Sequence, residues 1–197
     1  MIRTIVKEIV PYIDALNFAD LTAGVVTVAT KNQMSENGTV NKIFPIYENT
    51  PDECNGGDYL VLIPDEKYRT IIYFEELSNT ITTQTNHEIK ISSDIRLIGW
   101  FNLKKIGASV TSDVLLRLIA QAIPETLADF SDIKNIRVTL TGIPNKAPAL
   151  FSQYSYNEAE RQYLLFPFDY GALNYTITYS INKCVDDIVL DLNCGTK

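Results

Sequence analysis

Residue types that usually carry catalysis or hold metals are few in this chain. His87 is the only histidine and lies in the polar run NHEIK. A Ser–His–Asp arrangement would have to use this residue, and a single imidazole cannot supply a pair of metal ligands. A polar, extended segment is also a poor setting for the preorganised pocket that acid–base catalysis needs. We therefore predict no catalytic role for His87.

Two pairs of carboxylates are adjacent in the sequence, Glu75-Glu76 and Asp186-Asp187. Adjacent side chains on a strand point to opposite faces of the sheet. Neither pair can therefore share a proton as an acid–base dyad, and a solvated edge is the ordinary explanation for both. We predict that the protein is not an enzyme.

The three cysteines, Cys54, Cys184 and Cys194, are odd in number and show no CxxC spacing. A disulfide framework needs an even, regular set of cysteines, and a zinc site needs clustered cysteine or histidine ligands. The pattern predicts neither of them, and it fits a reducing compartment. We expect no metal and no cofactor.

The polar loop at 52–58 is the one place where a small metal-dependent active site could still lie. Asp52, Glu53 and Asp58 surround a Gly-Gly pair there. The spacing of an EF-hand is absent, and no Gly-Lys-Ser/Thr follows as it would in a phosphate-binding loop. We interpret the segment as a plain surface loop, with the enzyme as the alternative reading.

The charge balance excludes some partners. The formal net charge is −7 over 197 residues, which disfavours a generic surface for nucleic acid or for anionic lipid. No apolar run approaches the roughly 18 residues of a membrane span, so we predict no membrane contact. The N-terminal MIRTIVKEIV is amphipathic and does not resemble a secretory signal. The length predicts a single domain, 1–197.

A strand–helix–strand unit forms the middle of the chain. Residues 94–106 are rich in β-branched and aromatic residues and predict a strand. Residues 111–123 change to helical spacing, which should bury Leu115, Leu118 and Ile119. Residues 134–143 return to a period of two. A helix with one apolar face between two strands should pack on the sheet that those strands build.

A second amphipathic helix is predicted at 2–17, bent near Pro11. Its apolar stripe should pack on the body of the fold, and binding of a partner is the alternative. The two helices and the many strands predict an α+β fold, in which a mostly antiparallel sheet is covered on one face by both helices.

Several hairpins are predicted around that unit. Residues 22–31 read as one strand, and Asn37-Gly38 signals a tight turn before a short strand at 42–48. Pro45 cannot donate to a ladder, so the short strand should lie at an edge or be bulged. Strands at 58–64 and 68–77 should form a hairpin through the Pro-Asp-Glu-Lys turn.

The Thr-rich segment 79–92 alternates but offers few apolar groups, which predicts an extended hairpin arm with solvent on both sides. Such an arm is marginal alone and gains order by pairing with a neighbour. A C-terminal extension at about 184–197 reads as a short strand or a second arm. The candidate interface comprises threonines and the histidine of the arm and two aromatic residues that follow the central unit. These are Thr82, Thr83, Thr85, His87, Tyr154 and Tyr156.

The order of these elements resembles the small neck and tail-completion proteins of tailed bacteriophages, including the tail terminators. The likeness rests on an amphipathic N-terminal helix, a set of strands, the unit DIRLIGW…LLRLIAQAI…IRVTLTGI and the closing aromatic strand LLFPFDYGALNYTITYSI. It implies an α+β virion protein without enzyme activity, assembled in the host cytoplasm. It also implies a homo-oligomeric ring that contacts portal, neck or tail proteins and joins subunits through sheet edges and arms.

DNA would pass through the channel of such a ring without specific binding. Carboxylates along a channel would repel phosphates, which is compatible with the acidic balance. A monomeric adaptor that uses exposed aromatic residues is the other function that the sequence leaves open.

Overall fold

The computed structural model describes residues 1–35, 38–48, 59–62, 64, 66–107, 109–144, 150, 154 and 166–182. Its helices are α1 (Ile2–Asp14), α2 (Leu103–Ile106) and α3 (Ser112–Ala122). Its strands are β1 (Leu21–Val25), β2 (Thr27–Ser35), β3 (Gly38–Glu48), β4 (Tyr59–Val61), β5 (Thr70–Gln84), β6 (Glu88–Asn102), β7 (Ile133–Gly142) and β8 (Phe168–Asn182).

Two sheets contain all the strands named above. The main sheet has five strands in the order β1-β5-β6-β8-β7, and the small sheet has the order β2-β3-β4. Only the contact of β1 with β5 is parallel, and the other pairings are antiparallel. The predicted α+β class with a mostly antiparallel sheet is therefore confirmed.

Both amphipathic helices cover the same face of the main sheet. The stripe of α1 that was predicted to pack on the body of the fold is buried, and it joins the core with α3 and the sheet residues Phe74, Leu97 and Ile177. Its buried members are Ile2, Ile5, Val6, Ile9 and Ile13. The helix ends at Asp14, three residues earlier than the spacing suggested, and Pro11 lies inside it.

The opposite face of the main sheet carries a second, smaller core. Tyr73, Ile98 and Trp100 are buried there with Leu62, which directly follows β4 of the small sheet. Side chains alternate between the two faces along a strand, so Leu97 of β6 packs on the helix side and Ile98 packs in this second core. The main sheet is therefore buried on both faces at this end.

The buried side of α3 differs from the predicted one at a single position. Leu115 and Ile119 are 2% and 0% exposed as expected, but Leu118 is 41% exposed and Leu116 is buried instead. The sequence is apolar on both flanks of the helix, so spacing alone could not select the flank. Gly171 of β8 selects it, because the missing side chain leaves the space that Leu116 occupies.

Three predictions about the strands are corrected by the structure. Residues 22–31 divide at Val26, so that β1 joins the main sheet and β2 the small one. The predicted strand at 94–106 ends at Asn102, whose side chain accepts a hydrogen bond from Lys105 N–H and thereby caps α2. The hairpin predicted between 58–64 and 68–77 is wrong, because β4 pairs with β3 whereas β5 pairs with β1 and β6.

Pro45 lies in the central strand of the small sheet, not at its edge. The ladder between β3 and β4 starts one residue later, at Ile46, and the Pro45 carbonyl accepts a hydrogen bond from Leu62 N–H. In a strand, the N–H and C=O of one residue point to the same side. The missing N–H of Pro45 therefore falls where this ladder ends, which makes a central position acceptable.

The two leucines of α3 give a matched test of the helix placement. We expect Leu116→Ala to lower the free energy of unfolding by about 2–5 kcal/mol, because it opens a cavity against β8. Leu118→Ala should cost less than about 1 kcal/mol, because that side chain is already largely in water. Urea denaturation of both variants measures their free energies of unfolding. Equal losses would contradict the placement of α3 that buries Leu116 and exposes Leu118.

Candidate assembly edge

Four of the six predicted interface residues lie at the tip of the hairpin formed by β5 and β6. Thr82 and Thr83 belong to β5, and Thr85 and His87 form the turn. The Thr85 hydroxyl accepts hydrogen bonds from the N–H groups of His87, at 3.3 Å, and Glu88, at 3.0 Å. The turn is therefore held by its own side chain, as is typical of threonine in turns.

The predicted arm is more firmly attached to the sheet than its composition suggested. Residues Ile89–Ser92 of β6 pair with β5 on one side, and Glu88–Ser92 pair with Thr178–Asn182 of β8 on the other. Ile89 and Ile91 are half-buried. The expectation of a free, two-stranded arm is wrong for this half, because sequence alternation identifies a strand but not its distant partner.

The β5 half of the hairpin has an open outer side. The register of β1 with β5 ends at the pair Val25 and Phe74, and Val26 N–H donates to the Phe74 carbonyl at 2.8 Å. From Glu76 to Gln84 every residue of β5 is exposed. No strand of the described chain pairs with this side, which we call the outer β5 edge.

Backbone groups at two positions of the outer β5 edge point away from the molecule. Thr85 N–H donates to the Glu88 carbonyl at 2.8 Å, so Glu88 directs its backbone groups towards β5. Backbone N–H and C=O groups of alternate residues point to the same side of a strand, so those groups of Lys90 and Ser92 also face β5. Their partners on β5 are Thr83 and Thr80. The backbone groups of Asn79 and Ile81 must therefore face outward, where a neighbouring strand could bind them.

Two bulges interrupt the outer β5 edge. The register with β6 shifts between Glu76 and Ser78 and again between Ile81 and Thr83. Bulges twist a strand and are a common means of limiting uncontrolled pairing at an edge. Yet Leu77 and Ile81 are 46% and 59% exposed on this otherwise polar stretch. Exposed aliphatic side chains beside an open backbone give a partner strand apolar area to bury.

Tyr154, the fifth predicted interface residue, is buried and so offers no exposed aromatic surface. It is 7% exposed, and its hydroxyl donates to Glu75 Oε1 at 2.6 Å. Arg96 Nη1 lies 3.9 Å from the other oxygen of this buried carboxylate. Nothing in the sequence signalled this contact, because the two residues are 79 positions apart. Tyr156, the loop at 52–58 and the extension at 184–197 lie outside the described residues.

A polar row ties the outer β5 edge to the middle of the sheet. Asp94 accepts hydrogen bonds from Thr176 at 2.7 Å and from Ser78 at 2.8 Å, so one carboxylate links β8, β6 and β5. The bond from Thr176, followed by that from Ser78, lowers the pKa of the Asp94 carboxyl below its usual value. The ionised side chain thus fixes Ser78 next to the first bulge.

Other kinds of site were sought in the same part of the chain. Among the described residues, no group of three or more histidine, cysteine, aspartate or glutamate side chains is placed to hold a metal ion. None of the described helices is long and apolar enough to cross a membrane. No protein-family model, no curated protein and no solved structure matches this chain.

The link through Asp94 predicts a pH-dependent contribution to stability. A carboxyl whose pKa is lowered by folding stabilises the protein above its unfolded pKa, near 3.8, and loses this effect as the pH falls through the folded value. Thr176→Val removes the main donor without changing the shape of the side chain. We expect this variant to unfold at a lower temperature than the wild type at pH 7.

The difference in unfolding temperature between the wild type and Thr176→Val should become smaller at pH 3 and below, because Asp94 becomes protonated in both proteins. Thermal melts across this pH range measure it. A gap that is as large at pH 3 as at pH 7 would show that Thr176 acts through packing and not through the Asp94 carboxylate.

Proposed function

We propose that the protein is a structural subunit of a tailed-bacteriophage virion, at the neck or the tail end, and that it joins neighbours through the outer β5 edge. The observation that carries this proposal is the long exposed stretch Glu76–Gln84, paired with β6 on one side only. The viral setting comes from the resemblance of the element order to neck and tail-completion proteins. In that setting the subunit acts in assembly and not in catalysis.

Pairing at a sheet edge suits such a role energetically. A strand added to β5 would bind backbone groups at Asn79 and Ile81 that otherwise face water, and backbone hydrogen bonds make this mode of binding insensitive to much of the partner's sequence. Leu77 and Ile81 add apolar area to the contact. Burying aliphatic side chains contributes about 25 cal/mol for each Å² removed from water.

Four of the predicted interface residues lie at the hairpin tip, next to the outer β5 edge. They are Thr82, Thr83, Thr85 and His87. A ring built from such contacts would lie against portal, neck or tail proteins, with DNA passing through its channel. The subunit would be found in the virion after assembly in the host cytoplasm. A monomeric adaptor would use the same edge for one partner and would not build a ring.

Ile81 allows a sharp test of the edge. Its N–H faces outward, so Ile81→Pro should leave the ladder with β6 intact while removing a donor that a partner strand would need. Ile81→Thr is the matched control, because it keeps the N–H and the β-branched shape. We expect wild type and Ile81→Thr to assemble, with themselves or with the adjacent neck or tail protein, and Ile81→Pro to stay monomeric.

Sedimentation velocity measures assembly, and thermal melts check that all three proteins are folded. Hydrogen exchange adds a local readout, since the amides of Asn79 and Ile81 should exchange quickly in the monomer and slowly in the assembly. Assembly of folded Ile81→Pro at wild-type concentrations would overturn the proposal, as would fast exchange at both amides in an assembled wild type.

A further inference from the structure

Helix α3 leaves two apolar side chains uncovered on its outer side. Val114 and Leu118 are 45% and 41% exposed, whereas the other side of the helix is buried in the core. Residues four positions apart in a helix are neighbours on its surface, so these two form a short apolar stripe. The helix therefore carries more apolar residues than its own core takes up.

A groove lies beside this stripe. Its volume is about 250 Å³, and its lining includes Val114, Leu115 and Leu118 of α3, Phe18, which follows α1, and Ile106 of α2. The space is large enough for a leucine side chain. An apolar stripe next to such a groove is typical of surfaces that bind another helix.

Two opposite charges accompany the stripe at the same spacing. Asp113 and Arg117 are exposed, and helical geometry places them on the line of the helix next to Val114 and Leu118. Neither charge has an ion-pair partner among the described residues. Both are therefore available to a partner helix that carries the opposite charges four residues apart.

The α3 helix of a second copy meets these requirements when it packs antiparallel to the first. A two-fold axis across such a pair places equal flanks of the two helices side by side and reverses their direction. With the axis near Leu115, Asp113 lies level with Arg117 of the second copy, and Val114 lies level with Leu118 of the second copy. A parallel pair would put the two charged lines on opposite sides of the contact, where they could not meet.

We propose that two copies of this chain bind each other through an antiparallel, two-fold contact between their α3 helices. Val114 and Leu118 of each copy pack on the same two side chains of the other copy, with each Leu118 at the groove of its partner. Asp113 and Arg117 form two ion pairs across the axis. The contact joins the helix layers of two copies, so it goes beyond the proposed function, which uses the outer β5 edge of the sheet.

The contact is small and therefore weak. Two turns of helix from each copy bury less than the roughly 1,200 Å² that marks a specific, stable interface. The dimer should form only in concentrated protein, and dilute chains that cannot pair at the outer β5 edge should stay monomeric. Within a larger assembly, several α3 contacts would act together and strengthen one another.

The Ile81→Pro variant serves as the parent protein for the test, because it removes pairing at the outer β5 edge. Sedimentation equilibrium at concentrations up to about 1 mM measures dimerisation, and thermal melts check that each further variant is folded. We expect the parent to dimerise in this range.

Exchange of charges tests the pairing of Asp113 with Arg117. Arg117→Asp makes the charged line all acidic and Asp113→Arg makes it all basic, so each variant should dimerise about 10-fold more weakly than the parent. An equimolar mixture restores both ion pairs and should form heterodimers as strongly as the parent dimerises. Both variants remain acidic, because each substitution changes the net charge of −7 by two, so general attraction cannot explain recovery.

Lys134→Asp is the matched control. It makes the same change in net charge as Arg117→Asp, at an exposed position of β7 that lies outside the proposed contact. This variant should dimerise like the parent, which would show that the loss in Arg117→Asp is local.

Leu118 separates the contact from the fold. Leu118→Ala should leave the stability of the dilute monomer nearly unchanged, because the side chain is largely in water there. The same substitution should weaken dimerisation about 10- to 100-fold, since the two-fold contact buries this side chain once from each copy.

Three results would overturn the α3 contact. The first is a parent that stays monomeric up to about 1 mM. The second is a mixture of Arg117→Asp and Asp113→Arg that dimerises no more strongly than either variant alone. The third is a parent dimer that Leu118→Ala leaves unchanged. None of them bears on the outer β5 edge, which the assembly of dilute wild type and Ile81→Thr tests separately.

Discussion

The continuous pairing of β6 with β8 is the constraint on which the rest of the structure depends. The ladder runs without a register shift from Glu88 to Asn102, whereas the pairings of β5 and β7 contain bulges. A shift of one residue in this ladder would turn every side chain to the opposite face. Leu97 would then leave the helices and Ile98 would leave the second core. The central pair therefore determines both hydrophobic layers at once.

Both sheet edges follow from the unequal lengths of the outer elements. β5 is fifteen residues long, but β1 has only five and covers its first part. On the other side, residues 125–127 cover only the first part of β7. Measured along β6, the cover of β5 ends level with Leu97 and the cover of β7 ends level with Ser93. The Asp94 carboxylate that links Ser78 and Thr176 lies between these two levels.

The sequence predicts local elements of this fold well and distant contacts poorly. Helical spacing located α1 and α3, and alternation located β7 and β8, because these signals depend on neighbours a few residues apart. Spacing could not distinguish Leu116 from Leu118, since Gly171 of a distant strand makes the choice. It also could not show that Tyr154 would bury its hydroxyl against Glu75, or that β8 would support the hairpin at 88–92. The threonines of segment 79–92 suggested an exposed strand edge. Only the strand pairing shows that the β5 half of the hairpin has the open side.

An open edge is a hazard as well as a binding surface, and the chain limits the hazard in several ways. Bulges at both ends of the exposed stretch of β5 restrict the partners that can pair with it in register. The net charge of −7 makes copies repel one another at a distance. Short-range attraction must therefore outweigh this repulsion, which favours a partner that offers both backbone hydrogen bonds to the outer β5 edge and apolar contact to Leu77 and Ile81.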